Sequence, residues 1–98
     1  MKILYKTPGD KGFRELVVPN QLRVLQDLVG GYIETVTIAE DAAIICNEDG
    51  RIIQQEYNCE FCGVNFVGPI LIVGIDGEEF CDCPLSVVMA NMMAIGSV

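Results

Sequence analysis

Four of the five cysteines stand in two close pairs, Cys59-x-x-Cys62 and Cys81-x-Cys83. Four thiolates satisfy a tetrahedral zinc ion, and the first pair has knuckle spacing. The Cys-x-Cys half is less usual, and no basic residue follows Arg51 to offset the two excess negative charges of a Cys₄ site. Buried structural thiols account for the same residues. Zinc held by Cys59, Cys62, Cys81 and Cys83 is thus one expectation, and a metal-free chain without cofactor is the other. Cys83 also precedes Pro84, a residue suited to a first helical position, so its sulfur is a candidate N-cap whose thiolate a helix N-terminus would favour. Asp82 beside it opposes that charge, and there is no histidine in the chain to act as a base.

A second group of residues suits ligand binding. Glu34 shares a strand face with Tyr32, Val36 and Ile38, so burial would demand a partner for its carboxylate, whereas at the surface Arg23 or Arg51 can pair with it. Asn47-Glu48-Asp49-Gly50 is far short of an EF-hand loop and reads as a hairpin turn. Arg51 is the last positive charge in the chain and suits a phosphate or carboxylate. Asn58, next to Tyr57, suits the edge of a base or sugar. Tyr32, Glu34, Asn47, Arg51 and Asn58 are therefore the candidate ligand site, although turn chemistry explains several of them equally well. No nucleophile–base pair, metal triad or phosphate-cradling glycine loop is present, so no catalytic residue is assigned and binding is favoured over catalysis.

The totals narrow the partners. Ninety-eight residues, 51% of them apolar, make one domain over 1–98 with a single core. The net charge is −8, and Ile52 to Val98 holds six acidic residues and no base. Direct nucleic-acid binding needs a basic face and is not expected, whereas a basic protein partner is electrostatically permitted. The N-terminus has no signal-like apolar core and no apolar run has the length of a bilayer span, which leads to the expectation of a cytoplasmic protein with reduced thiols and no membrane association.

These residues must be carried by regular elements. Lys2–Lys6 and Phe13–Val18 read as two strands of a hairpin around a Pro-Gly turn. Asn20 is the N-cap candidate of a helix that turns Leu22, Leu25, Leu28 and Val29 inward and ends at Gly30-Gly31. Tyr32–Ile38 and Ala42–Cys46 follow as strands, with Arg51–Gln54 expected to return from the Asp49-Gly50 turn. Glu56–Gly68 is irregular in pattern and reads as a loop or a short helical turn. Pro69–Ile75 has the continuous apolarity of a central strand, Glu79–Cys81 pairs back on it, and a last helix runs from Pro84 to about Ala94. The expectation is an α+β fold: a mainly antiparallel sheet, one helix after the first hairpin, a C-terminal apolar helix, and both helices behind one curved layer. That last helix carries no charge and more apolar surface than one stripe needs, so a homo-oligomer joined through it is expected.

The motifs L-V-G-G-Y-I-E (Leu28–Glu34), I-C-N-E-D-G-R (Ile45–Arg51), Tyr57-Asn58 and G-P-I-L-I-V-G-I-D-G-E-E-F (Gly68–Phe80) resemble a family of small proteins from bacteria, phages and mobile elements, catalogued as domain of unknown function 3846. The resemblance covers most of the chain, implies one small domain and brings no established catalytic activity. Family members usually carry Asn-Arg where this chain has Asn58-Cys59, and a Ser-Leu step where it has Cys81-Asp82-Cys83-Pro84, so the paired cysteines are not family hallmarks. The company such proteins keep implies a counter-defence role, either sequestering a nucleotide-like small molecule or blocking a host protein. Two alternatives stay open: an acidic decoy in which Asp76, Glu78, Glu79 and Asp82 mimic a nucleic acid, and a zinc-stabilised accessory domain.

Overall fold

A computed structural model describes residues 1–96, in the order β1 (Lys2–Lys6), β2 (Arg14–Val17), α1 (Leu22–Val29), β3 (Ile33–Ala39), β4 (Ala42–Asn47), β5 (Tyr57–Phe61), β6 (Val64–Val67), β7 (Ile70–Asp76), β8 (Glu79–Cys81) and α2 (Val87–Met93). The fold is α+β. Six strands form one antiparallel sheet in the order β2-β1-β7-β4-β3, and β8 pairs with β7. β4 occupies one side of β7, so β1 and β8 share the other, β1 along Ile70–Ile72 and β8 along Gly74–Asp76. Lys2 and the residues after β8 meet at that join: Lys2 N donates to Asp82 Oδ1 at 2.7 Å and Cys83 N to Lys2 O at 2.8 Å. β7 is central, as its unbroken apolar sequence predicts: such a strand has both faces covered.

Successive strand residues face opposite sides, and this sheet buries both. Ile3, Tyr5, Ala43, Ile45, Leu71 and Val73 pack under Leu25 and Val29 of α1. Leu4, Ile44, Cys46, Ile70 and Ile72 pack on the other side against Phe61, Phe66 and Ala90 of α2. The helices thus lie on opposite faces rather than together behind the sheet. α1 turns only Leu25 and Val29 fully inward; Leu22 is exposed. Its N-cap is Gln21, without a side-chain cap bond, rather than Asn20, whose Nδ2 donates to Phe80 O. Gly30 closes it at φ 81°, a conformation a Cβ would strain. α2 starts later than Pro84, capped by Ser86 Oγ, which accepts from Met89 N at 3.1 Å. Cys83 is not the cap, since its side chain is buried in the core. Among the described residues, no helix is long and apolar enough to cross a membrane.

Two segments depart from the expected pattern. Residues 48–54 do not return as a strand. They curl in consecutive turns closed by Ile53 N to Asp49 O and Gln55 N to Gly50 O, with Gln54 at φ 58°. Residues 57–67 are not a loop but a second, two-stranded sheet. Its turn is Cys62-Gly63, at φ 50° and 78°, the pair of positive values a two-residue hairpin with the sheet's right-handed twist requires.

The β5–β6 hairpin lies on the large sheet through a buried polar contact. The β5 register slips between Tyr57 and Cys59, so Asn58 is a bulge residue. A bulge re-aims a side chain, and here both Asn58 and Cys59 turn inward. Asn58 Oδ1 accepts from Lys6 Nζ at 3.0 Å, and Asn58 Nδ2 donates to Lys6 O and Gly68 O, both at 2.9 Å. Lys6 is 0% exposed. Asn58→Ala strips the buried lysine of this acceptor and is expected to cost about 2–3 kcal/mol in urea unfolding. Lys6→Met combined with Asn58→Leu, which removes the buried charge as well, is expected to recover part of that loss, since Lys6 O and Gly68 O still lose the amide's donors.

Candidate functional site

The corner between α1 and β3 is built by small residues and one amide. Gly30 N and Gly31 N both donate to Gln26 O, ending the helix. A Cβ on Gly31 would stand 2.9 Å from Asn47 Nδ2. That space lets Asn47, the last residue of β4, donate from Nδ2 to Val29 O at 3.2 Å while its Oδ1 accepts from Asp49 N at 2.8 Å. Asn47 therefore fixes the start of the 48–54 turns relative to the helix.

A cleft of about 380 Å³ opens between those turns, β6 and the face of β3 that carries Glu34 and Val36. Glu34, Asn47, Glu48, Arg51 and Asn65 supply its polar groups, and Val36, Ile52, Val64, Phe66 and Val67 its apolar walls. Arg51 is held across the mouth by Nη2 donating to Asn65 O at 2.6 Å, and Tyr57 OH donates to Asn65 Oδ1 at 3.1 Å. Glu34 is exposed and forms no ion pair among the described residues. Its Oε2 accepts a long bond, 3.8 Å, from Cys46 Sγ. Burial, then the Glu34 charge beside it, pushes the Cys46 thiol up to about 11, so at neutral pH it is a donor and not a nucleophile.

Three of the five predicted ligand residues, Glu34, Asn47 and Arg51, meet in this cleft. Tyr32 does not; it borders a separate, more open depression with Arg23, Gln26 and Asp27. Asn58 does not either, because the bulge directs it at Lys6. Neither of the expected pairings of Glu34 with Arg23 or Arg51 forms: Arg23 pairs with Asp27 at 3.6 Å, and Arg51 turns to Asn65. Cys46, Asn65 and the apolar wall of β6 are additions that residue-type reasoning missed, and Glu48, read there only as part of a turn, joins them. The Cys62-Gly63 hairpin signal was the one available clue to β6, disguised by cysteine where asparagine is usual.

The paired cysteines do not assemble. Cys59 and Cys83 are buried in the apolar core, with burial raising both thiols, while Cys62 is exposed at the hairpin turn and Cys81 lies on β8. Among the described residues no three or more His, Cys, Asp or Glu side chains gather as a metal site.

The chain matches, over residues 1–92, the family model described as Domain of unknown function (DUF3846). No curated protein and no solved structure matches it.

The Cys46 environment sets a pH dependence. Its ordinary value is 9.0 and its folded value about 11, so above pH 9 the unfolded chain loses this proton more readily than the folded one. The stability it contributes is complete below pH 9 and disappears as pH rises towards 11. Urea unfolding across that window is expected to show a fall that is smaller in a Cys46→Ala variant, in which the raised Cys59 and Cys83 thiols still contribute.

Proposed function

We propose a non-enzymatic binding role for this chain, which belongs to the family described as Domain of unknown function (DUF3846). The ligand is a nucleoside or nucleoside monophosphate taken up in the cleft beside β3, and the biological use is sequestration of such a molecule in the service of a phage or mobile element. The observation that supports this is the set of charges lining an apolar-walled cleft: two carboxylates, Glu34 and Glu48, and a single guanidinium, Arg51. Carboxylates accept from sugar hydroxyls and base amino groups, the guanidinium takes one phosphate, and Val36, Phe66 and Val67 cover a base. A triphosphate would set several negative charges against two carboxylates with one cation to offset them, so polyphosphates are disfavoured. Catalysis has little support here, because the cleft's one thiol is kept protonated.

Titration calorimetry with adenosine, guanosine, their monophosphates and their triphosphates tests this. The expected order is monophosphate above triphosphate. Arg51→Ala is expected to weaken the monophosphate roughly tenfold and leave the nucleoside unchanged, and Glu34→Gln to weaken both. Absence of heat from every compound sinks the reading.

The same proposal joins copies through α2. Val88, Met89 and Met92 are exposed there, as is Ile95 just beyond the helix, and the segment from Cys83 onward carries no charged side chain on an otherwise acidic chain. Sedimentation is expected to give a multiple of 10.7 kDa that falls to one subunit in Met92→Glu. A wild-type mass of one subunit refutes it.

An acidic decoy is the second reading. Asp76 lies directly opposite Glu79 in the β7–β8 pairing, with Glu78 in the turn between, all exposed. Like charges in register are unfavourable on their own, and a basic partner relieves them. Asp82, also exposed, is less free, since one oxygen accepts from Lys2 N.

A further inference from the structure

Sheet edges are usually protected, because their unpaired N–H and C=O groups invite another strand. β2, at one edge, is short and carries Arg14 and Glu15 exposed. β3, at the other, is seven residues long, and Glu34 is its one charged residue. Among the described residues no strand pairs with its outer side. The phase of the ladder is set by Glu48 N donating to Tyr32 O at 2.9 Å and continues through Glu34↔Cys46 and Val36↔Ile44. In an antiparallel ladder alternate residues direct both backbone groups at the partner. Tyr32, Glu34 and Val36 therefore bond to β4, and Ile33, Thr35 and Thr37 point theirs outward.

Side chains alternate in the same way. Glu34 and Val36 line the cleft, so a strand added along β3 would lay every second side chain over its mouth. A long basic side chain there meets Glu34 and Glu48, and an apolar neighbour two residues on meets Val36. A second copy of this chain fits poorly: with Thr35 opposite Thr35 it brings another Glu34, another Glu48 and another net charge of −8 to the same edge.

We infer that the outer edge of β3 takes up an extended segment of a basic protein by strand addition, with lysine or arginine side chains reaching Glu34 and Glu48. This goes beyond the small-molecule reading and does not depend on it.

The probe is a capped heptapeptide alternating lysine and valine, compared with the same peptide carrying glutamate for lysine. Amide hydrogen exchange followed by NMR is expected to slow roughly tenfold at Ile33, Thr35 and Thr37 with the lysine peptide and not with the glutamate peptide. Thr35→Pro removes an outward N–H while sparing the β4 ladder, and is expected to weaken the peptide at least about tenfold. Thr37→Lys, which opposes the peptide's charge, gives the same result should the proline variant fail to fold. Arg51→Ala does not weaken the peptide, which separates this outcome from that of the nucleoside test. No protection at millimolar lysine peptide overturns the inference, as does equal protection by the glutamate peptide. Protection of those amides in the free protein that grows with its concentration also overturns it, by assigning the edge to a second copy.

Discussion

A lysine buried inside a protein must be answered by a polar group, and here that group is Asn58. The contact joins residues 52 positions apart and ties the β5–β6 hairpin to β1. Its demands propagate outward. Asn58 can reach Lys6 because β5 is bulged at that position, and the amide's two donors are then used by Lys6 O and Gly68 O. The Lys6 charge is also felt nearby: it opposes the rise that burial imposes on the Cys59 thiol. It assists, as a lesser cause after two hydrogen bonds from Thr7, in holding the Asp10 carboxyl low.

With the hairpin fixed there, the rest of that face follows. Phe61 meets Phe13 edge to face, with ring centroids 5.9 Å apart, and Asn91 Oδ1 accepts from Phe13 N at 2.7 Å, so α2 is held against the same hairpin. The hairpin's Phe61 and Phe66 pack with Leu4, Ile44, Ile70 and Ile72, and Val36 and Ile38 of β3 lie partly buried against the same cluster. The face of β3 borders a cleft walled by β6, and its edge is left without a neighbouring strand. The 48–54 turns carry Glu48 and Arg51 to the rim, and the Asn47 amide sets where those turns begin.

The acidity of the chain gives these surfaces a common bias. Glu34 and Glu48 line the cleft, and Asp76, Glu78 and Glu79 stand exposed at the β7–β8 turn. The exposed face of α2, by contrast, carries no charged side chain.

The sequence alone determined the elements whose patterns are local. β1, α1, β3, β4 and β7 were legible because periodicity of two or 3.6 and the Gly30-Gly31 stop are properties of neighbouring residues. The antiparallel α+β class followed from their order. Glu34 and Arg51 were legible as chemistry because each is a charge in an apolar or turn context. Tertiary structure decided the remainder. Whether Asp49-Gly50 turns a hairpin or starts a curl depends on where the Asn47 and Gln55 groups find partners. Asn58 read as a ligand group because nothing local announces a buried lysine 52 residues away. The cysteines read as a cluster because spacing along the chain resembles ligand spacing, whereas the fold sends Cys59 and Cys83 into the core and leaves Cys62 at a turn. In each case the deciding energy is the satisfaction of a buried polar or apolar group by a distant partner, a quantity no sequence window contains.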